Sequence, residues 1–216
     1  MTHRLTHTGA WLAGLLLSVV AASCATPAAP AASTPTPLTR VLGQFDAIEG
    51  TDYLVAPIRA KTGDSYSIFD LGARSGSWGL VYNLVFLDRR TETFQLLLPA
   101  HDYVIATAQP LSWPEDAEAE STPLGWLYSI IKEDTNGDGD LTREDSITVA
   151  VSEVGGTAYT EALLDVDEVY GSTLQDKATL LVIYRSAGHK YLAALDLPSH
   201  SVTATTELPA LGPEVE

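Results

Sequence analysis

Residues 126–151 read WLYSIIKEDTNGDGDLTREDSITVAV, and this stretch decides the fold class. Its first part, 126–132, is aromatic and β-branched. Its last part, 147–151, is again Ile, Thr and Val. Between them lies a run of Asp, Asn, Gly and Thr that has no use for burial. Strand-forming residues on both sides of a polar turn make a strand–loop–strand unit. Neither flank has the apolar repeat at 3.6 residues that a helix requires.

The same pattern continues in both directions. Short apolar runs fall at 53–59, 65–69, 80–87, 93–98, 103–106, 179–184, 191–195 and 202–206, with Gly, Asp, Ser and Pro clusters between them. These are strands separated by turns. The segment 159–170 is the best helix candidate, although Val166, Val169 and the alternating acids fit a strand as well. Residues 84–88 and 94–99 form a strand, Asp, turn, strand, Pro pattern, and 192–196 with 207–209 echo it. Such hairpins resemble the outer pair of a β-propeller blade. About 170 folded residues at roughly 40 per blade allow at most four blades. The expected fold is all-β, with antiparallel meander sheets arranged as a propeller-like body or a sandwich. Residues 109–125 carry Pro110, Pro114 and Pro123 with four acids. They are expected to form an exposed acidic loop, either a linker between sub-sheets or a partner-binding lid.

The polar loop 134–145 has its own chemistry. Calcium takes six to eight oxygens, so short oxygen-bearing side chains must converge from one tight turn. Asp134, Asn136 and Asp138 alternate, Gly139 supplies a sharp turn, and Asp140, Thr142 and Asp145 follow. The register resembles the EF-hand calcium loop, with Asp134, Asn136 and Asp138 at positions 1, 3 and 5 and Gly139 at position 6. The resemblance implies a backbone-carbonyl ligand at Asp140, an apolar anchor at Leu141 and a direct or water-mediated ligand at Thr142. Position 12 departs from the pattern. The family has Glu there and this chain has Asp145, as dockerin-like single loops also do, with Glu144 as a less suitable substitute. The alternative is an Asx-rich turn that binds nothing. With no helices to open, a bound Ca2+ is expected to fasten two strands together and not to signal.

The N-terminus sets the expected location. A short start carrying Arg4 precedes an apolar run at 11–22, too short for the ~20 residues of a spanning helix. The run ends in Val20-Ala21-Ala22-Ser23-Cys24. This resembles the lipobox of bacterial lipoproteins, in which a cysteine is lipidated after cleavage. Ala21 stands where leucine is commoner. Cleavage near Ala25, which would discard Cys24, is the rival reading. Residues 25–39 are rich in Ala, Pro, Ser and Thr and suit a mobile tether. The expected organisation is a signal peptide at 1–23, an anchor and tether at 24–40, a β-rich domain at 41–210 and a tail at 211–216. Lipidation at Cys24 would place the domain at the cell envelope, with the outer membrane favoured because Ala25 and not Asp follows the cysteine.

Of the 216 residues, 45% are hydrophobic and 19% charged, enough for a real core, and the formal net charge is -16. That acidity argues against a nucleic-acid partner, which needs clustered Lys and Arg. Cys24 is the only cysteine, so no disulfide forms within the chain. No catalytic set stands out. His101, His189 and His200 are scattered. Residues 75–79 (SGSWG) lack the order of a nucleophile elbow. Asp165, Asp167 and Glu168 could supply paired carboxylates for glycoside hydrolysis, with a solvated strand edge as the commoner explanation. Trp78 and Trp113 are candidates for stacking on a glycan or protein partner. The leading expectation is a non-enzymatic binding or structural module. An envelope hydrolase and an assembly subunit using an open sheet edge are the alternatives.

Overall fold

A computed structural model describes residues 39–60, 80–114 and 121–209. Pro37–Glu216 forms one compact unit. Among the described residues there are strands and turns but no helix. The first sheet contains β1 (Arg40–Leu42), β2 (Asp46–Ala47), β3 (Tyr53–Ala60), β4 (Val81–Asp88) and β5 (Thr93–Leu96), in the order β1-β3-β4-β5 with β2 also on β3. The second runs β6 (Val104–Trp113), β7 (Thr122–Ile131), β8 (Ile147–Ser152) and β9 (Thr160–Val166). The third runs β10 (Glu168–Leu174), β11 (Thr179–Ser186), β12 (His189–Asp196) and β13 (Ser201–Glu207). Every pairing is antiparallel. The last two sheets are meanders in strict sequence order. The architecture is all-β, of the kind found in propeller-like and sandwich folds.

Short polar side chains set the turns. Asp88 Oδ1 accepts the N–H groups of Arg90 and Thr91, at 2.8 and 3.2 Å, in the β4–β5 hairpin. Asp196 Oδ2 accepts the Ser199 N–H at 3.0 Å in the β12–β13 hairpin. The repeated Asp in the sequence echo thus does the same job twice, satisfying turn donors that no strand reaches.

The middle sheet is buried on both faces, because successive side chains of a strand point to opposite sides. On β7, Trp126, Tyr128 and Ile130 pack with Val55, Leu84 and Phe86 of the first sheet. Leu127 and Ile131 pack with Leu180, Val182 and Leu195 of the third. Two cores therefore share one sheet. Trp126 meets Phe86 edge-on at 5.9 Å between centroids and donates from Nε1 to the Val154 carbonyl at 2.9 Å. The Tyr128 hydroxyl lies 2.8 Å from Ser152 Oγ. Both buried aromatic polar atoms are thus satisfied, as burial demands.

Three expectations need correcting. The helix candidate at 159–170 is β9, a break at Asp167, and the start of β10. Asp165, with φ 53°, sits within β9 where its register against β8 shifts. The ends of segment 109–125 are strand: β6 continues to Trp113 and β7 begins at Thr122, pairing Trp113 with Thr122, while its four acids lie outside the described residues. Pro110 is tolerated because β6 is an edge strand. Trp113 accordingly sits half-buried at a strand end and not in a loop. The expected strand at 65–69, the turn at 75–79 and Trp78 lie outside the described residues.

Candidate calcium loop

β7 and β8 pair from Trp126 with Ser152 to Ile131 with Ile147, and the chain between them forms the loop. The sheet fixes its two ends side by side. Within it, short side chains turn back on the backbone. Asp134 Oδ1 accepts the Gly137 N–H at 2.6 Å, and its Oδ2 accepts the Gly139 N–H at 2.8 Å. Asn136 Oδ1 accepts from Asp138 N–H at 2.9 Å, and Asp138 Oδ1 from Asp140 N–H at 2.8 Å. Gly139 has φ 94°, as its place in the loop demands, and Gly137 has φ 79°. The second left-handed residue was not anticipated. A Cβ at either would meet no atom within 4 Å, so backbone strain and not crowding selects glycine.

The five ligand candidates divide into two groups. Asp134, Asn136, Asp138 and Asp140 are exposed to solvent. Asp145 is 2% exposed. Its Oδ1 accepts the N–H groups of Thr135 and Asn136 at 2.8 and 3.2 Å, and the Thr135 hydroxyl at 3.3 Å. Its Oδ2 accepts the Thr142 N–H at 2.8 Å. These donors, the Thr142 N–H foremost, hold its carboxyl below the usual Asp range, because each favours the charged form. Asp145 thus staples the start of the loop to its end. The sequence marked this residue by position and missed its use.

Thr142 is half-buried, and its carbonyl accepts the Asp145 N–H at 3.2 Å. This closes a single tight turn and no helix. Leu141 packs against the core shared by the second and third sheets, the anchoring role expected of it.

Among the described residues no three His, Cys, Asp or Glu side chains gather closely enough to hold a metal ion. A cation entering the loop would have to draw the exposed side chains of Asp134, Asn136 and Asp138 and the Asp140 carbonyl together. Asp145 would join them only by giving up backbone donors. The side chains on the exposed side of the loop are thus not gathered around one point, and its buried side is already satisfied by protein.

The other candidates are dispersed. His101 Nδ1 lies 3.1 Å from Asn83 Nδ2, His189 lies 2.8 Å from Glu207, and His200 lies 2.8 Å from the Ala158 carbonyl. Asp167 and Glu168 flank Arg185 at 3.9 and 3.6 Å. Asp165 takes the Ser186 hydroxyl on its carbonyl at 2.7 Å. No nucleophile–base pair arises from these groups. Cys24 and its tether lie outside the described residues. No family model matches the chain, and no curated protein matches it.

Proposed function

We propose that this chain is a calcium-stabilised lipoprotein of the bacterial cell envelope, anchored through Cys24, and that its β domain is a non-enzymatic binding or structural module. The observation that carries the reading is the hairpin loop between β7 and β8. It presents Asp134, Asn136, Asp138 and Asp140 to solvent in EF-hand register, while the sheet holds its ends. Bound Ca2+ takes oxygens from Asp134, Asn136 and Asp138, the Asp140 carbonyl and water. Thr142 and Asp145 are the further candidates, with Asp145 the weaker as long as it serves as a staple. Calcium acts as a clasp on the hairpin, since a strand pair has no hinge to open. External calcium is abundant, so a dissociation constant on the order of 10⁻⁴–10⁻³ M suffices.

Calorimetric titration of the chain with CaCl2 tests the site. One binding event, lost in Asp134→Ala/Asp138→Ala, is expected. No heat of binding up to about 10 mM, roughly tenfold above the weaker limit, contradicts it. The anchor is tested separately by mass spectrometry of the native N-terminus. A diacylglyceryl mass on Cys24 is expected, and an unmodified N-terminus beyond Cys24 removes the anchor.

A further inference from the structure

A cleft of about 1280 Å³ opens between the second and third sheets. Sites for single small molecules run to roughly 300–1,000 Å³. The excess suits an oligomeric ligand. Its two long walls are strand edges. Residues 106–110 of β6 line one side without a gap, and residues 167–169, 171 and 172 at β10 line the other. A strand that presents successive residues to a cleft presents its edge and not a face. Among the described residues β6 pairs only with β7, and β10 only with β11, so each keeps one side of its backbone unpaired within its sheet. One weak link spans the gap, from Ser172 Oγ to Gln109 Oε1 at 3.4 Å. Ser129 and Leu127 form part of the floor, and the end of the polar loop closes one end.

The charge on the walls is unequal. Glu144, Asp167 and Glu168 face Arg143 and Arg185, and Arg185 is already flanked by Asp167 and Glu168. Asp145 also borders the cleft, but its carboxylate is committed to the loop. An incoming chain with a basic side chain therefore meets a net acidic wall, in a molecule of net charge -16. Among the described residues no aromatic side chain lines the cleft, which disfavours a stacked sugar ring. Backbone groups dominate what is on offer.

We propose that this cleft takes an extended, basic peptide segment, paired through its backbone to the open edges of β6 and β10. About five residues at ~3.3 Å each match the lined length of either edge. Backbone pairing supplies the affinity, and the acidic wall supplies selectivity for Lys or Arg. The proposal deepens the binding reading above by naming the class of partner. It does not depend on the calcium site.

The test uses the full chain and a blocked, fluorescein-labelled hexapeptide of alternating threonine and lysine. Fluorescence anisotropy should show saturable binding. Hydrogen exchange should slow in β6 and β10. N-methylation of alternate peptide amides, which removes strand pairing, should weaken binding at least tenfold. Replacing the lysines with glutamates should weaken it by a similar factor. Gln109→Trp, which fills the cleft from an exposed position, should abolish binding. If that variant misfolds, the N-methylated peptide on the unaltered protein still decides. No saturable binding, protection confined to other strands, or equal affinity for the N-methylated peptide overturns the proposal. Repeating the titration in chelator separates the two readings. Absent peptide binding beside a calcium-dependent melting curve sinks the cleft alone, and peptide binding that persists in chelator upholds the cleft whatever the loop holds.

Discussion

Asp145 carries more of the loop's order than any ligand candidate on its exposed side. Three backbone N–H groups and one hydroxyl converge on its carboxylate. Asparagine there offers one acceptor oxygen and turns an NH2 group toward donors, so Asp145→Asn should lower the melting temperature with or without calcium. The pH dependence has a definite sign. The folded carboxyl titrates below the ~3.9 of an unfolded Asp, so its contribution is whole above about pH 4 and is lost as pH falls through the lower folded value. Melting curves between about pH 5 and pH 2 should therefore fall more steeply for the unaltered protein than for Asp145→Asn. Equal slopes would show that the staple is not coupled to stability. Tyr128 offers a second residue-level check. Burial pushes its hydroxyl well above the usual tyrosine range, so it stays neutral and bonded to Ser152. Tyr128→Phe removes one partner, and Ser152 Oγ still donates to the Glu153 carbonyl at 2.9 Å. A loss of about 1 kcal/mol by denaturant unfolding is expected.

Among the elements, β7 carries large buried side chains into both cores. Trp126→Ala should cost ~3–5 kcal/mol, and Leu127→Ala, on the opposite face, ~2–5 kcal/mol. On β13 every residue is exposed. Thr206→Val there should stay within about 0.5 kcal/mol. Chemical denaturation of the three variants checks the contrast, and a mild Leu127→Ala would mean that the third sheet does not pack on the second. β7 was legible in sequence because burial on both faces leaves a continuous apolar run. The hairpins were legible because Asp88 and Asp196 mark their turns. Residues 159–170 were legible only as a choice between helix and strand, since Val166, Val169 and the alternating acids fit a strand while the segment is also the best helix candidate. What separates the two valines is a strand break at Asp167, which reaches Arg185. Residues 109–125 misled for a related reason. Proline signals a loop, yet an edge strand accepts it, as β6 does at Pro110. β1 and β2 are too short for any periodicity to show.

For the molecule as a whole, three stacked sheets with two cores explain how a chain without an internal disulfide holds together. The meander plan was readable from the repeated hairpins. The stacking order was not, since it depends on which face of each sheet meets which neighbour. The cleft between β6 and β10 was likewise invisible, because it is made of backbone edges brought together by folding and no residue pattern marks it. The loop lies on the middle sheet, so a clasp there reports on the stability of the entire unit. With the proposed dissociation constant of 10⁻⁴–10⁻³ M, about 10 mM calcium would stabilise the folded state by roughly 1.4–2.7 kcal/mol.

The melting temperature of the chain in about 10 mM calcium and in chelator, for the unaltered protein and for Asp134→Ala/Asp138→Ala, tests this most directly. Calcium should raise the unaltered protein's midpoint by roughly 3–10 °C and leave the double variant where it is. Superimposable curves for the unaltered protein in the two buffers, or the same rise in the double variant, would contradict a calcium clasp at this loop.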